Sequence, residues 1–188
     1  MAERAGRLTV ADLVVLALLH ERPMHGYAAS AELEYREVRD WAGISRPQVY
    51  YSLKKLAEQG YVAPAGNDDE AAAGPERRVY APTEKGGEAL ASALERPDWA
   101  QQRPPPPFLT WLALAHHARP GAVTRQVRRR REFLRREADR ERETLASFVD
   151  EGGGQAHMAA RLMVELTIRQ FETELEWLDH VERALGAA

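Results

Sequence analysis

Four consecutive prolines at residues 104–107 divide this 188-residue chain. With Pro97 they make residues 96–107 a stretch carrying five prolines, which neither helix nor sheet interior accepts. Such a stretch is read as a stiff, extended linker without secondary structure of its own. Two folded pieces are therefore expected: a domain over residues 1–95 and a helical domain over residues 108–188.

The first piece carries helix boundary signals. Thr9 and Asp12 form a capping-box pattern, and Leu8 and Leu13 are spaced as a hydrophobic staple. Residues 10–20 are apolar almost all round, which predicts a buried helix stopped by Pro23. A second helix is predicted over residues 27–40, with Tyr27, Ala31, Val38 and Trp41 on one face and Gly43 as its end. Ser45 and Gln48 form a second capping box, Ile44 and Val49 a staple, and Pro47 sits in the first turn of a third helix. Val49, Leu53 and Leu56 make its inward stripe, and Gly60 ends it. Residues 61–63 and 79–81 read as the two strands of a hairpin, joined by a long loop rich in Gly, Ala and acid. Thr83 caps a fourth helix that runs to about Glu95.

Beyond the prolines the pattern is helical: a short helix over 108–118, a long charged one over 123–151, a Gly152-Gly153-Gly154 hinge, and a last helix over 155–185. Val164, Ile168, Phe171, Leu175, Leu178 and Leu185 recur at alternating steps of four and three in the last helix, with Glu182 as an interruption. Val127, Leu134, Ala138, Leu145 and Phe148 follow the same template in the long helix, with Arg131 and Glu141 as breaks. So short a domain leaves much of this seam for a second copy, so these residues are the expected dimerisation surface. The fold class is mainly α with a small β-hairpin: an N-terminal winged helix-turn-helix and a C-terminal, coiled-coil-like dimerisation domain.

Composition excludes several functions. The chain has no cysteine, so thiol catalysis, disulfides and Cys-ligated metals are out. No enzyme, metal or cofactor is expected. The apolar run at residues 10–19 is shorter than a membrane span and Asp12 interrupts it, so a cytoplasmic protein without membrane contact is the default expectation. Net charge is −3, which rules out indiscriminate coating of nucleic acid but leaves room for a local basic face. The helix order with a hairpin places the third helix in a DNA major groove. Its solvent face is expected to show Arg46, Gln48, Tyr51, Ser52, Lys55 and Gln59, with Lys54 at the edge. Arg, Lys and Gln read base edges, and hydroxyls reach phosphates.

The turn His25-Gly26-Tyr27, the run from Ser45 to Leu56 with Tyr50, Tyr51, Leu53 and Leu56, and the segment Arg77-Arg78-Val79-Tyr80-Ala81-Pro82-Thr83 resemble PadR-type transcriptional regulators. The resemblance covers residues 8–95 by motif and the rest by helical architecture. It implies a homodimeric repressor bound to double-stranded DNA at a pseudo-palindromic operator, one recognition helix in each of two successive major grooves. It makes Tyr27 and Tyr50 candidate phosphate contacts, and Gln48, Tyr51, Lys54 and Lys55 candidates for the groove. Arg77 and Arg78 are expected to bring the wing base to the DNA, while the acidic tip at Asp68, Asp69 and Glu70 is held off it. Trp111 and Trp177 are read either as dimer packing or as the lining for a small apolar or aromatic effector. The arginine-rich stretch from Arg128 to Arg142 reads as a solvated face of ion pairs along one helix. A winged-helix module that binds protein instead of operator DNA is the alternative reading.

Overall fold

The computed structural model describes residues 7–65, 78–102, 106–148 and 154–185. It forms two compact units, Met1–Arg103 and Pro104–Ala188.

The first unit is built around α1 (Val10–Glu21). Thr9 and Asp12 close the reciprocal capping box, and the apolar run buries Leu13, Val15, Leu16, Leu18 and Leu19. The second helix is not continuous. α2 (Gly26–Tyr35) and α3 (Val38–Ala42) are separated at Glu37, which adopts a left-handed φ of 52°. α2 buries Ala29, Ser30 and Leu33. Five positions after Leu33, Val38 would lie about 140° off that face in an unbroken helix. The left-handed residue turns it back inward, where Val38 is buried. Tyr27, Ala31 and Trp41, expected on a common face with it, are exposed.

α4 (Arg46–Glu58) starts at the Ser45–Gln48 capping box and buries Val49, Ser52, Leu53 and Leu56. It ends at Gly60, whose φ of 72° is the left-handed conformation that glycine adopts without strain. Three antiparallel strands follow the order β1-β3-β2. β2 (Val62–Pro64) and β3 (Val79–Pro82) are the expected hairpin, with Ala63 opposite Ala81. β1 (Met24–His25) adds a third strand just before the turn at Gly26, and two residues are too few to carry a strand period in the sequence. α5 (Glu84–Leu94) is capped by Thr83, whose hydroxyl accepts from the Gly86 N–H. The hydroxyl also donates to the Gly60 carbonyl, tying the end of α4 to the start of α5.

The segment read as structureless begins with a 3-10 turn, Pro97–Gln101. Trp99 Nε1 donates to the Ala93 carbonyl, and Arg7 and Arg96 both pair with Asp98. These contacts fasten the turn to the first unit.

In the second unit α6 (Pro107–Leu114) runs into a 3-10 turn at Ala115–His117, and α7 (Ala122–Ser147) and α8 (Gln155–Leu185) pack together. Val127, Leu134, Leu178 and Val181 form the core, with Phe108, Leu112, Val123, Phe171, Leu175 and Trp177 packed against it. Arg131 and Glu182, the interruptions in the two apolar seams, pair with each other at 2.8 Å. Of the expected dimerisation residues, Ile168 and Leu178 are buried, Phe171 and Leu175 are half-buried against the core of their own unit, and Val164 is half-buried. The ion pairs also differ in direction. Arg130–Glu174, Arg131–Asp179 and Arg142–Glu172 bridge α7 to α8, beside the along-helix pairs Arg140–Glu137 and Arg142–Asp139. Interhelical pairing satisfies the arginines at the edge of the apolar seam.

Candidate nucleic-acid interface

The inward stripe of α4 fixes which residues face solvent. With Val49, Leu53 and Leu56 buried, Arg46, Gln48, Tyr50, Tyr51 and Lys54 are exposed. Tyr51 is 71% exposed and Tyr27, on the first turn of α2, 65% exposed. The Arg46 guanidinium stands 5.8 Å from the Tyr27 ring centroid. Tyr27, Arg46, Tyr50, Tyr51 and Lys54 thus supply cationic and hydroxyl groups from two helices, the types that contact phosphates and base edges. Gln48 has a second duty: its side-chain Oε1 accepts from the Ser45 N–H at 2.8 Å and from the Ser45 hydroxyl at 2.7 Å.

Two of the expected solvent residues point inward. Ser52 is buried. Lys55 turns towards α1, and its Nζ lies 2.5 Å from Asp12 Oδ2. Its side chain is 21% exposed, against 77% for Lys54, and the Asp12 side chain is 1% exposed. Burial pushes the Asp12 carboxyl up, but hydrogen bonds with Lys55, Thr9 and Ser52 outweigh it and hold the group below its usual value. Asp12 is therefore a carboxylate at neutral pH, and Lys55 is its counter-ion, so Lys55 is withdrawn from the groove-facing set. The signal was present in the sequence: an acid within a nearly all-apolar helix needs a cation, and Lys55 lies on the same helical side as buried Ser52.

Lys85 is also used internally, donating to the Gln59 carbonyl at 2.6 Å and lying 4.6 Å from the Tyr61 ring centroid. A cation at the C-terminal end of α4 suits the orphan carbonyls there. Lys54 extends into solvent, with Glu58 3.8 Å away. Arg78 stands half-buried just before β3, while Arg77 and the acidic tip at Asp68, Asp69 and Glu70 lie outside the described residues. A cleft of about 330 Å³ lies beside the start of α4, lined by Leu33, Val38, Ile44 and Val49 and rimmed by Glu34 and Arg46.

Trp111 and Trp177 belong to the second unit. The Trp111 ring stacks on Phe108 at 5.1 Å, and Trp177 is half-buried against the core. Among the described residues no group of His, Asp and Glu is arranged to hold a metal ion, and no helix is long and apolar enough to cross a membrane.

Three helical segments, a short sheet and an exposed cationic–aromatic helix face define a winged-helix DNA-binding domain. Residues 15–92 match the model of the transcriptional regulator PadR-like family, and residues 107–186 match that of the virulence activator alpha C-terminal domain. The winged-helix domain matched at residues 15–92 is of the PadR-like family, whose members are transcriptional regulators and not enzymes. Bacillus subtilis PadR in complex with operator DNA is 19% identical, with a TM-score of 0.65 over 93% of this chain and 99% of that one. The same protein in complex with p-coumaric acid is 18% identical, with a TM-score of 0.67 over 92% and 96%. A PadR-like transcriptional regulator from Bacillus cereus is 14% identical, with a TM-score of 0.58 over 90% and 98%. At these identities the likeness is one of fold. No curated protein sequence matches the chain.

Proposed function

We propose that this regulator is a homodimeric, ligand-responsive repressor that reads a pseudo-palindromic operator with α4. The observation that carries the reading is the exposed set Arg46, Tyr50, Tyr51 and Lys54 on α4, extended by Tyr27 from α2. The operator complex of Bacillus subtilis PadR supports the same role for this fold. In this reading Arg46, Gln48, Tyr51 and Lys54 enter the groove, Tyr27 and Tyr50 hold phosphates, and Arg77 and Arg78 bring the base of the wing to the backbone. Two copies place their recognition helices about 34 Å apart, one turn of the duplex.

The dimer surface in this proposal moves to the outer face of α8. Met158, Leu162 and Leu166 recur at steps of four and are each more than half exposed. They form an apolar stripe on one side of the helix. Ligand response draws on the p-coumaric acid complex of the relative and on the Phe108–Trp111 stack, which offers a flat aromatic surface to a planar ligand.

The test is selection of an operator from a random duplex library, then titration of Arg46→Ala, Tyr51→Ala and Lys54→Ala across salt concentrations. Loss of a base contact is expected to cost about 1–3 kcal/mol and relax the sequence preference. Loss of a phosphate contact is expected to weaken all duplexes alike and lower the salt slope by about one. If all three variants bind the operator like the parent, α4 is not the recognition helix. Failure to enrich any sequence favours the protein-interaction alternative.

A further inference from the structure

We propose that Asp12 and Lys55 form a positioning pair that sets the rotation of α4 about its own axis and so aims Arg46, Tyr51 and Lys54 at DNA. The proposal rests on the reading of α4 as the recognition helix.

Asp12 does more than its capping duty requires. Its Oδ2 accepts from the Thr9 N–H at 2.8 Å, which completes the box at the start of α1. A capping acid at a helix end is normally satisfied by that bond and by water. Here the carboxylate is buried, and the same Oδ2 also meets Lys55 Nζ, a residue 43 positions away in the middle of α4. Ser52, one turn before Lys55, is buried on the same side of α4. The start of α1 therefore holds α4 at Lys55, on the flank of its apolar stripe.

The rest of the contact between these helices is apolar: Val49, Leu53 and Leu56 share one core with Leu13, Leu16 and Leu19. The apolar stripe fixes which side of α4 faces the core, but apolar contact is non-directional and constrains small rotations less tightly than a directed bond does. A charged hydrogen bond is short and directional, so it resists rotation. The lever arm makes the difference matter. With side chains about 6 Å from a helix axis, a rotation of about 20° moves their tips by about 2 Å. That displacement exceeds the tolerance of a hydrogen bond to a base edge.

The pair also gives opposite expectations from a groove contact at Lys55. If Lys55 held a phosphate, Asp12→Asn would release it from its counter-ion and tighten DNA binding, and Lys55→Met would lower the salt slope by about one. As a positioning pair, both single variants weaken operator binding.

The experiment uses the full chain and the operator that the parent selects from a random duplex library, with a scrambled duplex as comparator. Five proteins are compared with the parent: Asp12→Asn, Lys55→Met, Lys55→Arg, the Asp12→Asn/Lys55→Met double variant, and Lys54→Ala. Removing both charges leaves no unpaired ion in the interior, so the double variant is expected to melt near the parent. It is nonetheless expected to lose about tenfold or more in operator affinity, to keep its affinity for the scrambled duplex, and to keep the parent's salt slope. Lys55→Arg, which can still reach Asp12, is expected to restore part of the operator affinity relative to Lys55→Met. Parent-like operator affinity in the double variant, or tighter binding by Asp12→Asn, overturns the positioning role. If Lys54→Ala, together with Arg46→Ala and Tyr51→Ala, retains full affinity and salt slope while the pair variants fail, the α4 reading is at fault and the loss is one of folding. If the parent enriches no sequence, that reading fails and takes the proposal with it.

Discussion

Gly86 shows how closely single atoms constrain this fold. It lies in the first turn of α5, and a Cβ there would stand 2.1 Å from the Tyr61 carbonyl oxygen. Backbone on both sides leaves no side chain to yield. Gly86→Ala is expected to destabilise the first unit by about 3 kcal/mol. The adjacent Gly87 is the natural control, because its Cβ would meet only the His20 ring, at 3.3 Å, and that ring can turn away. Gly87→Ala is expected to change stability by less than about 1 kcal/mol, with helix propensity in its favour. Chemical denaturation of both variants checks the contrast. Equal costs would mean that the approach of α5 to Tyr61 is not the constraint. The lysines teach the same lesson: Lys54 and Lys55 are neighbours in sequence, yet one extends into solvent and the other closes a buried ion pair.

At the scale of elements, α8 is the helix whose two faces were hardest to tell apart from sequence. Both carry apolar residues. One face packs Phe171, Leu175 and Leu178 against the core of its own unit, and the other leaves Met158, Leu162 and Leu166 uncovered. A charge at Leu162 would therefore not disturb the core. Leu162→Glu is expected to keep the parent's helicity while converting the proposed dimer to a monomer in sedimentation. It is also expected to lower operator affinity by a hundredfold or more, since two linked half-sites gain avidity that one cannot. A Leu162→Glu protein that still sediments as a dimer would place the interface elsewhere.

For the whole molecule, a repressor that answers a ligand needs two states with different affinities for it. Trp111 stacks on Phe108, and Trp177 packs against the same core, so a planar ligand in the second unit would act on both rings. In the proposed ligand-responsive reading, titration with planar aromatic acids is expected to quench tryptophan fluorescence and to release the operator. Trp111→Ala is expected to weaken that response and leave operator affinity in the absence of ligand unchanged. A variant that responds like the parent would return Trp111 to plain packing.

The sequence by itself determined where helices start and stop, because those signals are local. Thr9 with Asp12, Ser45 with Gln48, and Thr83 each satisfy backbone groups within one turn, and all three stand at the helix starts they mark. It also determined the buried stripe of α4, which helical periodicity separates from its outer face, and the β2–β3 hairpin, whose two short strand-like runs flank a turn-rich stretch. Only the tertiary structure decided the rest. The break at Glu37, the short strand β1 and the turn at Pro97–Gln101 are imposed by what they pack against. The partners of Lys55, Lys85 and Arg131 lie 43, 26 and 51 residues away. A helical pattern states which side a residue is on, but a long, flexible cation takes its partner from whichever carboxylate or carbonyl the folded chain leaves within reach. That choice depends on distances that exist only once the chain has folded.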